Sequence, residues 1–317
     1  MGNIYSNIYK NSPKNLNKAK TILKKNDIIG VPTETVYGLA GNAYSNKALK
    51  KIYKLKKRPK KNPLIIHYDN LKKLKKDAHI DNRFLKLYKK FSPGPLTFIL
   101  KKKRDSKICP SANANLKMIA VRFPKHKIIK NLLKKLNFPL AIPSANISTK
   151  ISPISALDVI DEFGKNINFV LDGGRSKIGL ESTVINLYGN IKIMRPGAIS
   201  KKAIGQTLGK NISISKKANK LNSPGLLKKH YSPGIPIRLN CKKADNKAAF
   251  IVFGKKYKRG KYIFNLSSRG NLKEAGKNLY KILRKVENLN FKKINVVKIP
   301  NQGIGIAIND RLRKAAY

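Results

Sequence analysis

The chain has 317 residues, 41% of them hydrophobic, which suits two packed domains and excludes wholesale disorder. No apolar run reaches the length of a bilayer crossing and no secretory leader pattern opens the chain. The two cysteines, Cys109 and Cys241, lack C-x-x-C spacing, which argues against a disulfide scaffold or a zinc site and fits a reducing, cytoplasmic setting.

Lysine and arginine number 70 against 15 aspartates and glutamates, a formal charge of +55. The lysines are spread along the whole chain beside asparagine and isoleucine. These three residues share A/T-rich codons, so compositional bias accounts for much of the excess without a function. What remains is a surface expected to attract polyanions such as RNA non-specifically, with strong salt dependence. The same bias makes each acid conspicuous, Glu34, Asp172 and Glu181 among them.

In chain order the pattern predicts a helix over 14–25, then a short apolar strand from Asp27 to Val31 stopped by Pro32. Thr33-Glu34-Thr35-Val36-Tyr37-Gly38-Leu39 reads as a turn running into a loop. A helix over 46–56 follows, with Ala48, Leu49, Ile52, Tyr53 and Leu55 at helical period. Pro59 and Pro63 impose an extended stretch before a strand over 64–67. Next come an amphipathic helix over 81–91 that stops at Ser92-Pro93-Gly94-Pro95, strands over 96–100 and 118–123, and a helix over 128–136. A buried strand over 140–143, a helix over 154–163 capped by Ser152 or Ser155, and a strand over 169–171 lead to a hairpin. Its arms are 184–187 and 192–194, about Tyr188-Gly189-Asn190. This is a mixed-sheet α/β domain over 1–208. Residues 209–236 read as a linker, rich in Ser, Asn and Lys, with Ser223-Pro224-Gly225 and Ser232-Pro233-Gly234. The linker also carries His230-Tyr231. Residues 237–317 form a smaller α/β unit, with strands over 249–253, 262–265 and 293–298, a helix over 272–286, and a last helix after Gly303-Ile304-Gly305.

Several polar strings sit where strands end, the place where ligand groups collect in open α/β sheets. Lys56-Lys57-Arg58-Pro59 is a basic cluster followed by Asn62-Pro63-Leu64 and His67. Arginine is scarce here and suits bidentate phosphate contact, whereas the lysine reads equally well as surface. Arg122 lies in an apolar strand and needs a partner. With acids so few, a bound carboxylate or phosphate is the expected one, ahead of an internal ion pair. Ser144-Ala145-Asn146 leaves a buried strand, and Ser152 precedes a helix, where a serine can cap, face an anion, or both. Glu181-Ser182-Thr183 heads one strand and Arg195-Pro196-Gly197 closes the next. Phosphate-loop, dinucleotide, nucleophile-elbow and metalloprotease motifs are missing, and the four histidines show no metal-ligand spacing.

Together these strings, in this order, resemble the YrdC-like family of threonylcarbamoyl-AMP synthases in its long form. Ser223-Pro224-Gly225 through His230-Tyr231-Ser232-Pro233 is similar to that form's linker. Asn301-Gln302-Gly303-Ile304-Gly305 through Asn309-Asp310-Arg311-Leu312 is similar to the end of its Sua-type second domain. The resemblance implies a YrdC-like twisted mixed sheet with helices, then a three-layer, Rossmann-like α/β domain. It implies synthesis of L-threonylcarbamoyladenylate from L-threonine, bicarbonate or CO2, and ATP, with release of pyrophosphate. Mg2+ is expected with ATP, with no metal ligand assigned to a protein side chain. The product would pass to a downstream tRNA threonylcarbamoyl transferase for modification next to the anticodon.

On this resemblance Arg58, Asn62, Ser144, Ser152, Arg195 and Tyr231 would contact ATP. Thr35, His67, Arg122 and Ser182 would hold threonine, with Arg122 at its carboxylate. Lys56, Arg58, Ser144 and Asn146 form the catalytic signature. Two positions depart from the family: Met118 stands where a threonine is usual, and Lys57 replaces the usual glycine of K-x-R. Two rival readings are an RNA-binding module on the same first domain and carbamoyl transfer to small molecules. The first leaves the second domain without a purpose, and the second normally comes with cysteine-rich and acylphosphatase-like regions absent from this chain.

Overall fold

A computed structural model describes residues 4–215, 230–243, 245, 247–257 and 260–316. The Ser223-Pro224-Gly225 part of the linker motif lies outside the described residues. The strands are β1 (Ile8–Lys10), β2 (Ile29–Val31), β3 (Gly38–Asn42), β4 (Ile65–His67), β5 (Leu96–Lys101), β6 (Met118–Arg122), β7 (Leu140–Ala141), β8 (Val170–Asp172), β9 (Thr183–Asn186), β10 (Lys192–Arg195) and β11 (Ser213–Ile214). After the linker come β12 (Ile237–Leu239), β13 (Ala249–Val252), β14 (Ile263–Asn265) and β15 (Ile294–Val296). The helices are α1 (Pro13–Lys24), α2 (Asn46–Leu55), α3 (Leu71–Leu74), α4 (Asn82–Phe91), α5 (Lys127–Lys134), α6 (Ala156–Phe163), α7 (Lys201–Leu208), α8 (Leu272–Asn288) and α9 (Gly305–Ala315).

Helix starts follow from short polar side chains that accept an otherwise unpaired backbone N–H. Ser12 caps α1, Ser45 caps α2, Asp81 caps α4 and Asn271 caps α8. For α6 the cap is Ser155, in a reciprocal box with Asp158. That leaves Ser152 for another task.

The first eleven strands form one mixed sheet in the order β1-β8-β2-β3-β7-β4-β6-β5-β9-β10-β11. Helices α2 and α4 bury Leu49, Ile52, Phe84 and Leu87 with Ile66, Phe98 and Val121 of the sheet. Helices α1 and α5 bury Leu23, Ile129 and Leu132 with Ile29 and Val31. The second sheet, β12-β15-β13-β14, is wholly parallel. Its core takes Leu279, Leu283, Ile308 and Leu312 from α8 and α9. It also takes in Val36, Ile154 and Leu180 from the first domain and Tyr231 from the linker, so the two domains share apolar surface.

The structure adds elements beyond the periodic signal. Gly38 and Leu39, read as part of a turn running into a loop, instead open β3, antiparallel to β2. The strand lacks alternation because it is wholly covered: a Cβ on Gly38 would lie 2.2 Å from Ile142 and 2.8 Å from the Pro143 carbonyl. β1, α7 and β12 are short, and α7 buries only Ile204, too little to show a period. β12 runs parallel to β15. Where the domains meet, Gly179 has a φ of 74°, and a Cβ there would stand 2.8 Å from the backbone of Lys277 in α8. Only glycine allows that approach.

Candidate active site

Helix α2 ends on Lys56, whose side chain turns inward and is 1% exposed. Its ammonium donates to the carbonyl oxygens of Ser144 (2.6 Å) and Asn146 (2.5 Å). The basic cluster and the Ser-Ala-Asn turn are therefore one joint. Burial first, then the neighbouring charge of Arg58, holds the Lys56 pKa well below the ordinary lysine value. Asn146 closes the turn from within, its amide donating to the carbonyls of Ile147 (2.7 Å) and Lys150 (2.9 Å). Lys57 takes a left-handed φ of 47° with its side chain exposed, so the missing glycine entails backbone strain and no clash.

Ser144 faces a small cavity of about 50 Å3, partly open to solvent. Its wall includes Thr35, Arg58, Arg122, Glu181, Ser182, Arg195, His230 and Tyr231. Residues of helix, turn and strand thus deliver what the scattered strings promised: three guanidinium groups around one space.

Arg58 is held by Asn62. Its Nε donates to the Asn62 carbonyl (3.0 Å), and its Nη2 donates to Asn62 Oδ1 (2.6 Å) and the Pro63 carbonyl (2.8 Å). Burial lowers its pKa to about 10, which leaves it charged at neutral pH. Asn62 is fully buried and acts here by aiming Arg58.

Arg122 was expected to await an external anion. The structure gives it a resident one: Nη2 lies 2.7 Å from Glu34 Oε1. Its Nη1 donates to Thr35 Oγ1 (2.8 Å) and its Nε to the Gly94 carbonyl (3.3 Å). Thr33 donates its hydroxyl hydrogen to the Val36 carbonyl (2.5 Å), so in the Thr33–Thr35 contact at 2.8 Å Thr35 is the donor. The Thr35 hydroxyl therefore offers only lone pairs. His67 pairs in register with Arg122 across β4 and β6. Burial, then the charge of Arg122, pushes its pKa well below the ordinary histidine value. In the neutral ring Nδ1 donates to the Ile65 carbonyl (3.1 Å), which makes Nε2 an acceptor.

On the far wall the Nε and Nη2 of Arg195 donate to the carbonyl and hydroxyl of Ser182, both at 3.1 Å. Ser182 and Thr97 share a hydrogen bond of 2.7 Å. Ser152 is fully buried behind Glu181 and donates to its Oε1 at 2.6 Å, so it neither caps α6 nor faces the cavity. Burial works to raise the pKa of Glu181, but Arg311 and Arg195 hold it at about 2. The linker lays Tyr231 into the wall at a left-handed φ of 65°, 1% exposed, its ring 3.9 Å from that of His230. Met118 packs at the edge of a small apolar cluster of Ile65, Ile99, Ala120 and Val184, which accounts for an apolar residue at that position.

Glu34, Glu181 and His230 stood out in the sequence without a role. Tyr280 and Arg311, which support Glu181 and Tyr231 from the second domain, were missed. The available signal was an arginine in phase with the apolar Ile308 and Ala315 of a helix. Among the described residues no cluster of His, Cys, Asp and Glu could hold a metal, and no helix is long and apolar enough to cross a membrane.

The fold and this wall define a two-domain α/β protein with a cation-lined cavity whose wall includes His230 and Tyr231. Residues 21–197 match the family model described as telomere recombination (Sua5/YciO/YrdC), and residues 199–317 match the threonylcarbamoyl-AMP synthase C-terminal domain. The threonylcarbamoyl-AMP synthase of Bacillus subtilis is 33% identical, over 94% of this chain and 92% of its own. That of Pyrococcus abyssi is 35% identical over 94% and 93%. A crystal structure of P. abyssi Sua5 complexed with L-threonine superposes with a TM-score of 0.89 at 31% identity, covering 98% of this chain and 96% of that one. The chain belongs to the threonylcarbamoyl-AMP synthase family of enzymes, in the form that carries both domains.

Proposed function

We propose that the chain makes L-threonylcarbamoyladenylate from L-threonine, bicarbonate or CO2, and ATP, releasing pyrophosphate, for modification of tRNA beside the anticodon. The observation that carries this reading is the convergence of Arg58, Arg122 and Arg195 on one cavity, each aimed by a backbone carbonyl or a hydroxyl. Threonine's amine takes up CO2 as a carbamate, whose oxygen attacks the α-phosphorus of ATP and expels pyrophosphate. That chemistry asks for no protein nucleophile. It asks for positioning and for fixed positive charge where the phosphate charge develops.

Arg58 and Arg195 are the fixed charges for the triphosphate, with Ser144 beside them. Threonine lies against Thr35, His67 and Ser182. Thr35 and His67 both present lone pairs, which suits a substrate that brings a hydroxyl and an amine as donors. Arg122 is neutralised by Glu34, so it holds the substrate carboxylate either by a shared guanidinium edge or by displacing Glu34. Mg2+ would come with the triphosphate. Glu34 and Glu181, the carboxylates beside the cavity, are both committed to arginines, so no protein ligand is assigned to the ion.

The test is pyrophosphate release from ATP with bicarbonate and Mg2+, comparing threonine with serine and alanine. Release that requires threonine and bicarbonate supports the reading. Its absence, with salt-sensitive RNA binding in its place, would favour an RNA-binding role. A second expected result concerns the linker: Tyr231→Ala should weaken ATP affinity by about tenfold, the scale of one buried aromatic contact. Titration calorimetry with an unchanged affinity would reduce the linker to a tether.

A further inference from the structure

The second domain backs the cavity wall most directly through one arginine and one tyrosine. Arg311 on α9 is fully buried. Its Nε donates to Glu181 Oε2 at 2.8 Å and its Nη1 to Asp310 Oδ2 at 2.6 Å. Its guanidinium carbon lies 5.1 Å from the centroid of the Tyr231 ring, within cation–π range. Glu181 and Tyr231 both line the cavity, and neither belongs to the second domain. Tyr280 of α8 supports the same two residues. Its hydroxyl donates to Glu181 at 3.0–3.1 Å, and its ring stacks on Tyr231 with centroids 5.8 Å apart.

All of this support falls on one side of the site. Glu181 shares the cavity wall with Arg195, its charge acting on that guanidinium, and accepts from Ser152. On the other side, Thr35, His67 and Arg122 are held by first-domain groups alone: Thr33, Ile65, Gly94 and Glu34.

We propose that Arg311 is a positioning residue for the nucleotide wall: it fixes Glu181 as the acceptor for Ser152 and the counter-charge behind Arg195, and it seats the Tyr231 ring. Nucleotide binding then depends on the docked second domain, whereas amino-acid binding depends on it only through Ser182, the one threonine contact that Arg195 also holds. This inference rests on the reading of the cavity as an ATP and threonine site.

The energetics agree. Deleting one member of a buried ion pair leaves the other charged and unpartnered, a far larger effect than losing a surface pair. Glu181 would be left facing Arg195 from β10 and Ser152, Tyr280 from α8, Asp310 from α9, and His230 and Tyr231 from the linker. Its carboxylate would turn toward Arg195, the other cation that acts on it, and draw that guanidinium off the nucleotide.

The experiment compares the full-length chain with Arg311→Met and Arg311→Lys. ATP affinity is measured by calorimetry without threonine, and KM for ATP and for threonine from pyrophosphate release. Arg311→Met should lose about tenfold or more in ATP affinity and raise the ATP KM, with threonine KM within about twofold, as expected when only one ligand's contacts are disturbed. Arg311→Lys should recover part of the loss. If Arg311→Met does not fold, the double variant Glu181→Gln/Arg311→Met removes both charges together and should show the same selective loss. ATP affinity within about twofold of wild type in the folded variant, or equal losses for both ligands, would overturn the proposal. A wild-type chain that binds no ATP would instead remove the underlying reading of the site.

Discussion

Arg58→Ala is expected to cut threonine-dependent ATP consumption by roughly 10²–10³-fold while leaving the fold intact. The side chain is held by three hydrogen bonds within the six residues 58–63. All three acceptors belong to Asn62 and Pro63, which are buried, but Arg58 itself lines the partly open cavity, from which water can enter. Removing the guanidinium therefore opens no core cavity, and the loop can rehydrate its carbonyls. The loss should appear in the chemical step as well as in ATP binding, because charge builds on the phosphate oxygens as pyrophosphate leaves. Near-normal turnover by Arg58→Ala would remove it from the mechanism. Unfolding seen by circular dichroism would instead make it structural.

Lys56→Met should lose both stability and activity. The methionine keeps the apolar stem but leaves the carbonyls of Ser144 and Asn146 without a donor, each an unsatisfied group worth about 1–3 kcal/mol. Relief from burying an ammonium offsets part of this, so a net loss of about 2 kcal/mol and a few degrees in Tm is expected. Turnover should fall by about 100-fold, since Ser144 sits on the turn that Lys56 positions. The pH dependence has a definite sign. The folded-state pKa of Lys56 lies well below 10.5, so between those values the unfolded chain holds more protons than the folded one. Wild-type stability should rise with pH across that window, and Lys56→Met should lack this component. An unchanged Tm together with unchanged turnover would mean that the buried amine supports nothing.

Much of this architecture was legible because it is local. Helices α2, α4 and α5 announce themselves by apolar period, and the polar strings mark strand ends where a ligand can sit. What stayed hidden was the relation between strings. Lys56 reads as one more lysine in a lysine-rich chain, and only the fold shows it bound to carbonyls 88 and 90 residues away. Arg122 was correctly judged to need a partner, but counting acids pointed outward, whereas a single well-placed glutamate suffices. Ser152 was read beside α6, yet its hydrogen goes to Glu181, 29 residues on. Arg311 meets Glu181 across 130 residues, a distance over which no period carries information. β1 and β12, at three residues each, are too short for any pattern.

The order of the large sheet has a consequence for how the chain comes to be folded. β1 occupies one edge and pairs only with β8, so Ile8 must wait for Val170, 162 positions later. At synthesis rates of about 5–20 residues per second, that wait is roughly 10–30 s. Over the same interval β2 can find β3, but Gly30 lacks its parallel neighbour at Val170. A half-made chain therefore holds an apolar edge open to other nascent chains. Around it lies a dense field of lysines, whose mutual repulsion between copies discourages the sticking that such an edge invites.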